Sequence, residues 1–246
     1  MSKVKLIAPL LFVFLLCGCA MPPIILGPSE SVTGSGNLVT REFSIKDFDR
    51  LQISHAFKAE VVQGDAYTVE VTVDDNLEPY LEVSKEGNTL TVGLKPSVAL
   101  SLNRTTQRAK ITMPKLRGID ASGATQVTLA GFESDNPLEV QSSGASTIRG
   151  DIQSGGSTFD VSGASTVRLN GRGGNSSIVV SGASTADLED FALEDVNVEV
   201  SGASTAIVNV SGRLDAEASG ASKVDYLGEP TPGKIDESGA SRVVPR

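Results

Sequence analysis

Five carboxylates recur at one place in a repeating sequence. Copies of Ser-Gly-Ala-(Ser/Thr) begin at Ser122, Ser143, Ser162, Ser181, Ser201, Ser219 and Ser238. Two residues before each of these serines stand, in order, Asp120, Gln141, Asp160, Val179, Glu199, Glu217 and Asp236. If the repeats stack, these acids form a column. Such a column suits three kinds of chemistry. It could ligate calcium, which takes oxygen donors. It could supply the paired carboxylates of a polysaccharide lyase or hydrolase. It could also present an acidic face to solvent or to a partner. Stacked carboxylates repel unless a cation or a basic neighbour sits between them. Gln141 and Val179 interrupt the series, so only Glu199, Glu217 and Asp236 are acids on consecutive repeats. The residues therefore favour a solvated face over a metal or acid/base site. Asp120, Asp160, Glu199, Glu217 and Asp236 are kept as a candidate surface binding column.

Other chemistry finds less support. His55 is the only histidine, and in the repeat frame it occupies a slot where the other copies have Gly, which suits a capping or surface role. Serine-rich turns supply neither the base nor the orienting group that a nucleophile needs. No G-x-x-x-x-G-K-(S/T) phosphate loop is present. Two cysteines and one histidine are too few for a thiolate or imidazole metal centre. No cofactor is expected. The chain has no Trp, and Tyr67, Tyr80 and Tyr226 are scattered, so no aromatic platform for sugars is evident. A formal charge of −9 argues against nucleic acid.

The elements that must position the column follow from its spacing. The repeats step by 18 to 21 residues, a period that signals a solenoid. Taking the first Ser of each copy as position zero, positions −3, −1 and +5 are mostly apolar and alternate with polar residues. Position −3, for example, reads Ile119, Val140, Phe159, Ile178, Val198, Ala216 and Ile235. A period of two with many β-branched residues marks strands with one buried face. Short strands joined by turn residues predict an all-β parallel β-helix (β-solenoid). Its seven marked coils would rise roughly 34 Å at one strand spacing each. Stacking also explains the small residues, because a bulky side chain would have to fit in every layer of its column. The path through Ser-Gly-Ala-Ser has two solutions. A straight strand points Gly and the last Ser/Thr inward; a two-residue corner lets Ala turn inward instead.

The text changes before the repeats. Residues 42–106 read as an N-terminal β region, with alternation in "YTVEVTV" and "NTLTVGL", and residues 107–246 as the repeat solenoid. "LQISHAFKAEVV" lies over "GIDASGATQVTL", placing Ser54 on Ser122, His55 on Gly123 and Val61 on Leu129. This stretch is expected to be a degenerate terminal coil, atypical because one of its faces is capped.

The chain opens "MSKVKLIAPLLFVFLLCGCA". Lys3 and Lys5 precede a short apolar run, the pattern of a secretory signal over residues 1–18. "LLCGC" resembles the bacterial lipobox. That resemblance implies cleavage before Cys19, lipidation of its thiol and, with Ala20 following, an outer-membrane lipoprotein on a periplasmic or surface-facing leaflet. Residues 19–41, rich in Pro, Gly and Ser, read as the lipidated Cys and a flexible tether.

"IKDFDRLQISHAFKAEVVQGD", "DDNLEPYLEV", "ITMPKLRGIDASGA", the SGAS series and "YLGEP", spread over roughly residues 43 to 230, are similar to a bacterial family, the putative auto-transporter adhesin, head GIN domain. The resemblance implies an extracytoplasmic β-helical domain and brings no catalytic residues. No autotransporter barrel is expected in this chain, with the lipid anchor in its place. The reading is a lipid-anchored cell-envelope β-solenoid, a non-catalytic binding, adhesion-like or structural module. Its expected partners are a membrane, through the N-terminal lipid, and a protein or glycan ligand; self-association is a further option at solenoid ends. The second reading is a polysaccharide-active enzyme on the same scaffold.

Overall fold

The computed structural model describes residues 30–95 and 100–246. The expected signal, Cys19 and residues 20–29 of the expected tether lie outside the described residues; residues 30–41, read from the sequence as flexible tether, instead hold two paired strands. Nine strands make up the N-terminal region: β1 (Glu30–Thr33), β2 (Leu38–Glu42), β3 (Arg50–Ile53), β4 (Lys58–Gln63), β5 (Thr68–Asp74), β6 (Leu81–Glu86), β7 (Thr89–Leu94), β8 (Leu100–Asn103) and β9 (Gln107–Met113). The repeats supply β10 (Gly118–Ala121), β11 (Gln126–Glu133), β12 (Pro137–Ser142), β13 (Thr147–Gln153), β14 (Gly156–Val161), β15 (Thr166–Val180), β16 (Thr185–Val200), β17 (Thr205–Val210), β18 (Arg213–Ala218), β19 (Lys223–Leu227), β20 (Thr231–Glu237) and β21 (Arg242–Pro245).

These strands form two parallel walls of a β-solenoid. The strands before each Ser-Gly-Ala turn stack as β7, β3, β10, β12, β14, the second halves of β15 and β16, β18 and β20. The strands after the turn stack as β9, β4, β11, β13, the first halves of β15 and β16, β17, β19 and β21. Positions −3, −1, +3 and +5 point between the walls, so Ile178, Val180, Ser184 and Ala186 are all buried. Phe159 and Phe191 meet edge to face with ring centroids 6.1 Å apart and fill the middle of the core.

The turn settles the ambiguity with a mixture of its two solutions. Gly and Ala at +1 and +2 form an exposed corner, while Ser or Thr at +3 is buried. Ala therefore does not turn inward. From Ala164 onward the Ala N–H donates to the Gly carbonyl one layer below, as from Ala164 to Gly144 and from Ala183 to Gly163, both at 2.8 Å. Gly is required for two reasons at once. Gly163 has φ +76°, and a Cβ there would lie 2.6 Å from the Gly144 carbonyl oxygen. The buried hydroxyls form a ladder inside this corner. Thr125, Ser146, Ser165 and Ser184 each donate their backbone N–H to the hydroxyl of the next layer, at 3.2 to 3.4 Å. Inward polar groups at a bend are thus paired, as burial demands.

The stretch aligned by sequence does lie in register on the repeats, with Ile53 beside Ala121 and Val61 beside Leu129. It is not the terminal layer, however. β3 and β4 have neighbours on both sides, because β7 and β9 pair with their other edges in parallel. The chain makes its second layer first, drops below it, then returns above it at β10. The actual end is closed by antiparallel strands: β6 on β7, and β5 between β2 and β9. Asp74 is buried there and accepts the N–H groups of Gly36 at 2.8 Å and Thr106 at 2.6 Å. Strand order alone could not have been read from parity, which is the same in both layers. The opposite end is different: among the described residues β20 and β21 pair only with β18 and β19.

Candidate functional site

The five acids stand in one column. The ladder places side by side Gln52, Asp120, Gln141, Asp160, Val179, Glu199, Glu217 and Asp236. All point outward because they alternate with buried positions −1 and −3. Asp160, Glu199, Glu217 and Asp236 are exposed, and Asp120 is half-buried. Glu199, Glu217 and Asp236 line a groove of about 500 Å³ with Val179 and Glu237.

Position −4 runs beside this column on the same wall and adds the basic neighbours that it needs. Lys234 Nζ lies 2.7 Å from both Glu217 and Asp236, so its ammonium sits where a cation between two stacked acids would. Both carboxylates raise the Lys234 pKa. Arg213 and the backbone N–H of Lys234 hold Asp215, lowering its pKa to about 2. At the other end of the wall Arg50 passes over Gly118 and pairs with Glu139 at 2.8 Å, and Glu139 accepts from Gln141 at 2.6 Å. A Cβ at Gly118 would meet the Arg50 guanidinium at 2.7 Å, so this Gly makes room for the arch. Asp120 lies under it. Burial raises its pKa, and the hydrogen bond from Gln52 only partly offsets the shift.

Between these two locked ends lies a part of the wall with different behaviour. Thr158 and Asp160 on β14, Ser177 and Val179 on β15, and Asn197 and Glu199 on β16 form a two-by-three array in direct register. All six are exposed, and among the described residues none of their polar side chains has a hydrogen-bond or ion-pair partner. Thr158, Ser177 and Asn197 face a shallow groove of about 440 Å³, with Pro137 and Gly156 in its lining. The sequence reading named Asp160 and Glu199 but missed position −4. Its signal was available in the same numbering: Glu139, Thr158, Ser177, Asn197, Asp215 and Lys234 all stand four residues before a repeat serine.

The remaining candidates sit elsewhere. His55 occupies the corner slot at φ +60°; its Nδ1 accepts the Ser54 hydroxyl at 2.7 Å and the Leu94 N–H at 3.3 Å. Two donors on Nδ1 place the ring proton on Nε2. The ring thus ties the corner to the layer below it. Tyr67 packs on Phe48 with ring centroids 4.9 Å apart, while Tyr80 and Tyr226 are half-buried against separate parts of the core. Among the described residues, no three His, Cys, Asp or Glu side chains are grouped to hold a metal ion. No helix among them is long and apolar enough to cross a membrane.

The stacked walls, inward hydroxyl ladder and displayed side face define a parallel β-solenoid with an outward polar wall. The chain belongs to the family described as putative auto-transporter adhesin, head GIN domain, whose model matches residues 47–230. Solved structures share the fold. A putative adhesin from Bacteroides fragilis NCTC 9343 superposes with a TM-score of 0.81 at 20% identity, over 87% of this chain and 100% of that one. A putative lipid binding protein from Parabacteroides distasonis ATCC 8503 has a TM-score of 0.71 at 20% identity, over 88% and 100%. A putative adhesin from the same strain has a TM-score of 0.65 at 20% identity, again over 88% and 100%. No curated protein sequence matches this chain significantly.

Proposed function

We propose that this protein is an adhesion-type binding module of the cell envelope, held to the outer membrane through a lipid on Cys19. The observation that carries the binding role is the contrast within one wall. Its ends are locked by Arg50–Glu139 and by Lys234 with Glu217 and Asp236, while its centre displays polar side chains without partners among the described residues. A rigid sheet that holds such groups in fixed register loses little entropy when a ligand docks. Family membership and the adhesins among its structural relatives support the same reading. The basic n-region, apolar run and Cys19 support the anchor.

Two measurements test it. Cys19→Ser should move the protein from the membrane to the soluble fraction of cells that make it, and continued membrane association would overturn the anchor. The purified protein, incubated with a polysaccharide panel, should release no cleavage products. Product release lost on Asp160→Asn with Glu199→Gln would replace the binding module by a polysaccharide-active enzyme.

A further inference from the structure

We propose that the array of Thr158, Asp160, Ser177, Val179, Asn197 and Glu199 binds a neutral polysaccharide chain lying along the solenoid axis. This inference rests on the binding-module reading and names the ligand class for that wall. The array spans roughly 10 Å along the stack and 7 Å across it, from strand spacing and residue rise. Its chemistry selects against the other ligands a flat acidic wall could take. Asp160 and Glu199 flank Val179 in one column, so their strands lie roughly 10 Å apart. Calcium takes six to eight oxygen ligands, and among the described residues no three acidic, His or Cys side chains are grouped to hold a metal ion. Anionic polymers meet Asp160 and Glu199 here and Glu217 and Asp236 on the next two layers. A protein partner would be expected to meet aromatic or aliphatic anchors at the centre of the patch. The array offers one exposed valine, 39% accessible, and no aromatic ring.

What remains fits sugar hydroxyls. Each hydroxyl both donates and accepts. The carboxylates accept, Asn197 does both, and the Thr158 and Ser177 hydroxyls rotate to either role. All these groups are solvated, so binding exchanges water for ligand hydroxyls at matched positions. Val179, which interrupts the acidic column, gives the C–H face of a ring an apolar contact. The adjoining groove of about 440 Å³, lined by Pro137 and Gly156, leaves space for a chain to lie flat. Without an aromatic platform each contact is weak, and affinity should grow with chain length as successive units engage.

The test is electrophoresis of the full protein through native gels cast with dextran, yeast mannan or laminarin, and in parallel with alginate. Binding to immobilised polylysine serves as the cationic, peptide-like probe. Retardation by at least one neutral polymer, absent with alginate, is expected. Asp160→Ala with Asn197→Ala should raise the apparent Kd at least tenfold, whereas Arg149→Ala on the opposite wall should leave it unchanged. Ser177→Trp, which fills the centre of an exposed array, gives a second variant; melting curves verify that each variant folds. No retardation by any neutral polymer, or retardation that all the array variants retain, overturns the proposal. Binding to polylysine alone also overturns it, yet leaves the binding module standing. Cleavage of the gel polymer overturns both.

Discussion

The hydroxyl of Ser184 receives the backbone N–H of Ser165, one layer below it, at 3.3 Å inside the solenoid. Both residues are buried, and the same relation repeats from Thr125 to Ser204. The serine is retained in the repeat as the acceptor for an N–H that the corner withdraws from the strand ladder.

Ser184→Ala should therefore destabilise the protein by about 1–3 kcal/mol, the cost of a buried donor left without a partner. Ser142 supplies the contrast. It is buried at position −1, its hydroxyl has no partner among the described residues, and its column neighbours are Ala121 and Val161. Ser142→Ala should be neutral or stabilising by on the order of 1 kcal/mol. Urea denaturation of both variants checks the pair, and equal losses would mean that the ladder is incidental.

The corner glycines give a second comparison. Gly163→Ala meets both a positive φ and a carbonyl oxygen 2.6 Å away, whereas Gly87→Ala meets only φ +56°, with nothing within 4 Å. Gly87→Ala should cost about 1–2 kcal/mol from backbone strain, and Gly163→Ala clearly more, because a layer must shift. Similar melting temperatures for the two would remove close layer contact as the reason for the Gly column.

Much of this architecture was legible in the sequence because stacking makes one residue type pay the same steric penalty in every layer. Ser-Gly-Ala-Ser marked the corner, and the alternation of positions −3, −1 and +5 marked the inward face. Parity also put Asp160 and Glu199 outside. Parity could not show that the β3–β4 layer lies inside the stack, since β7 carries the same alternation at Leu90 and Val92. It could not show Lys234 between Glu217 and Asp236 either, because that contact depends on side-chain reach between neighbouring columns.

Asp120 should make stability depend on pH. Burial raises its folded-state pKa, so the folded chain holds this proton more tightly than the unfolded chain. Its contribution favours folding at low pH and is lost as pH rises through the raised value. Asp120→Asn should melt above the wild type at about pH 7, and the difference should vanish by about pH 3, where the carboxyl is protonated in both states. A difference that does not change with pH would assign the effect to packing.

Glu237 should keep the open end from pairing with another chain. It stands at position −1 of the last layer, where the other layers carry Ala, Ser, Val or Ile, and its carboxylate accepts the Val243 N–H. Pro232 and Pro245 remove two donors from the same pair of strands. Inward charge and proline are both devices against edge-to-edge addition. Glu237→Val should produce dimers or larger species by light scattering coupled to gel filtration, and a monodisperse variant with the wild-type mass would remove this role.

The interleaved layers also decide how the rod bears load. A molecule tethered near Glu30 and gripped on β14 to β16 is pulled between its closed end and its middle. The first layer on that path is capped by antiparallel strands, every later one lies between two others, and the β3–β4 layer is clamped by chain that passes it on both sides. The coil of β20 and β21, held along one edge and easiest to peel, lies beyond the grip and carries no tension. The rod would then resist traction with its most entangled portion and leave its weakest turn slack.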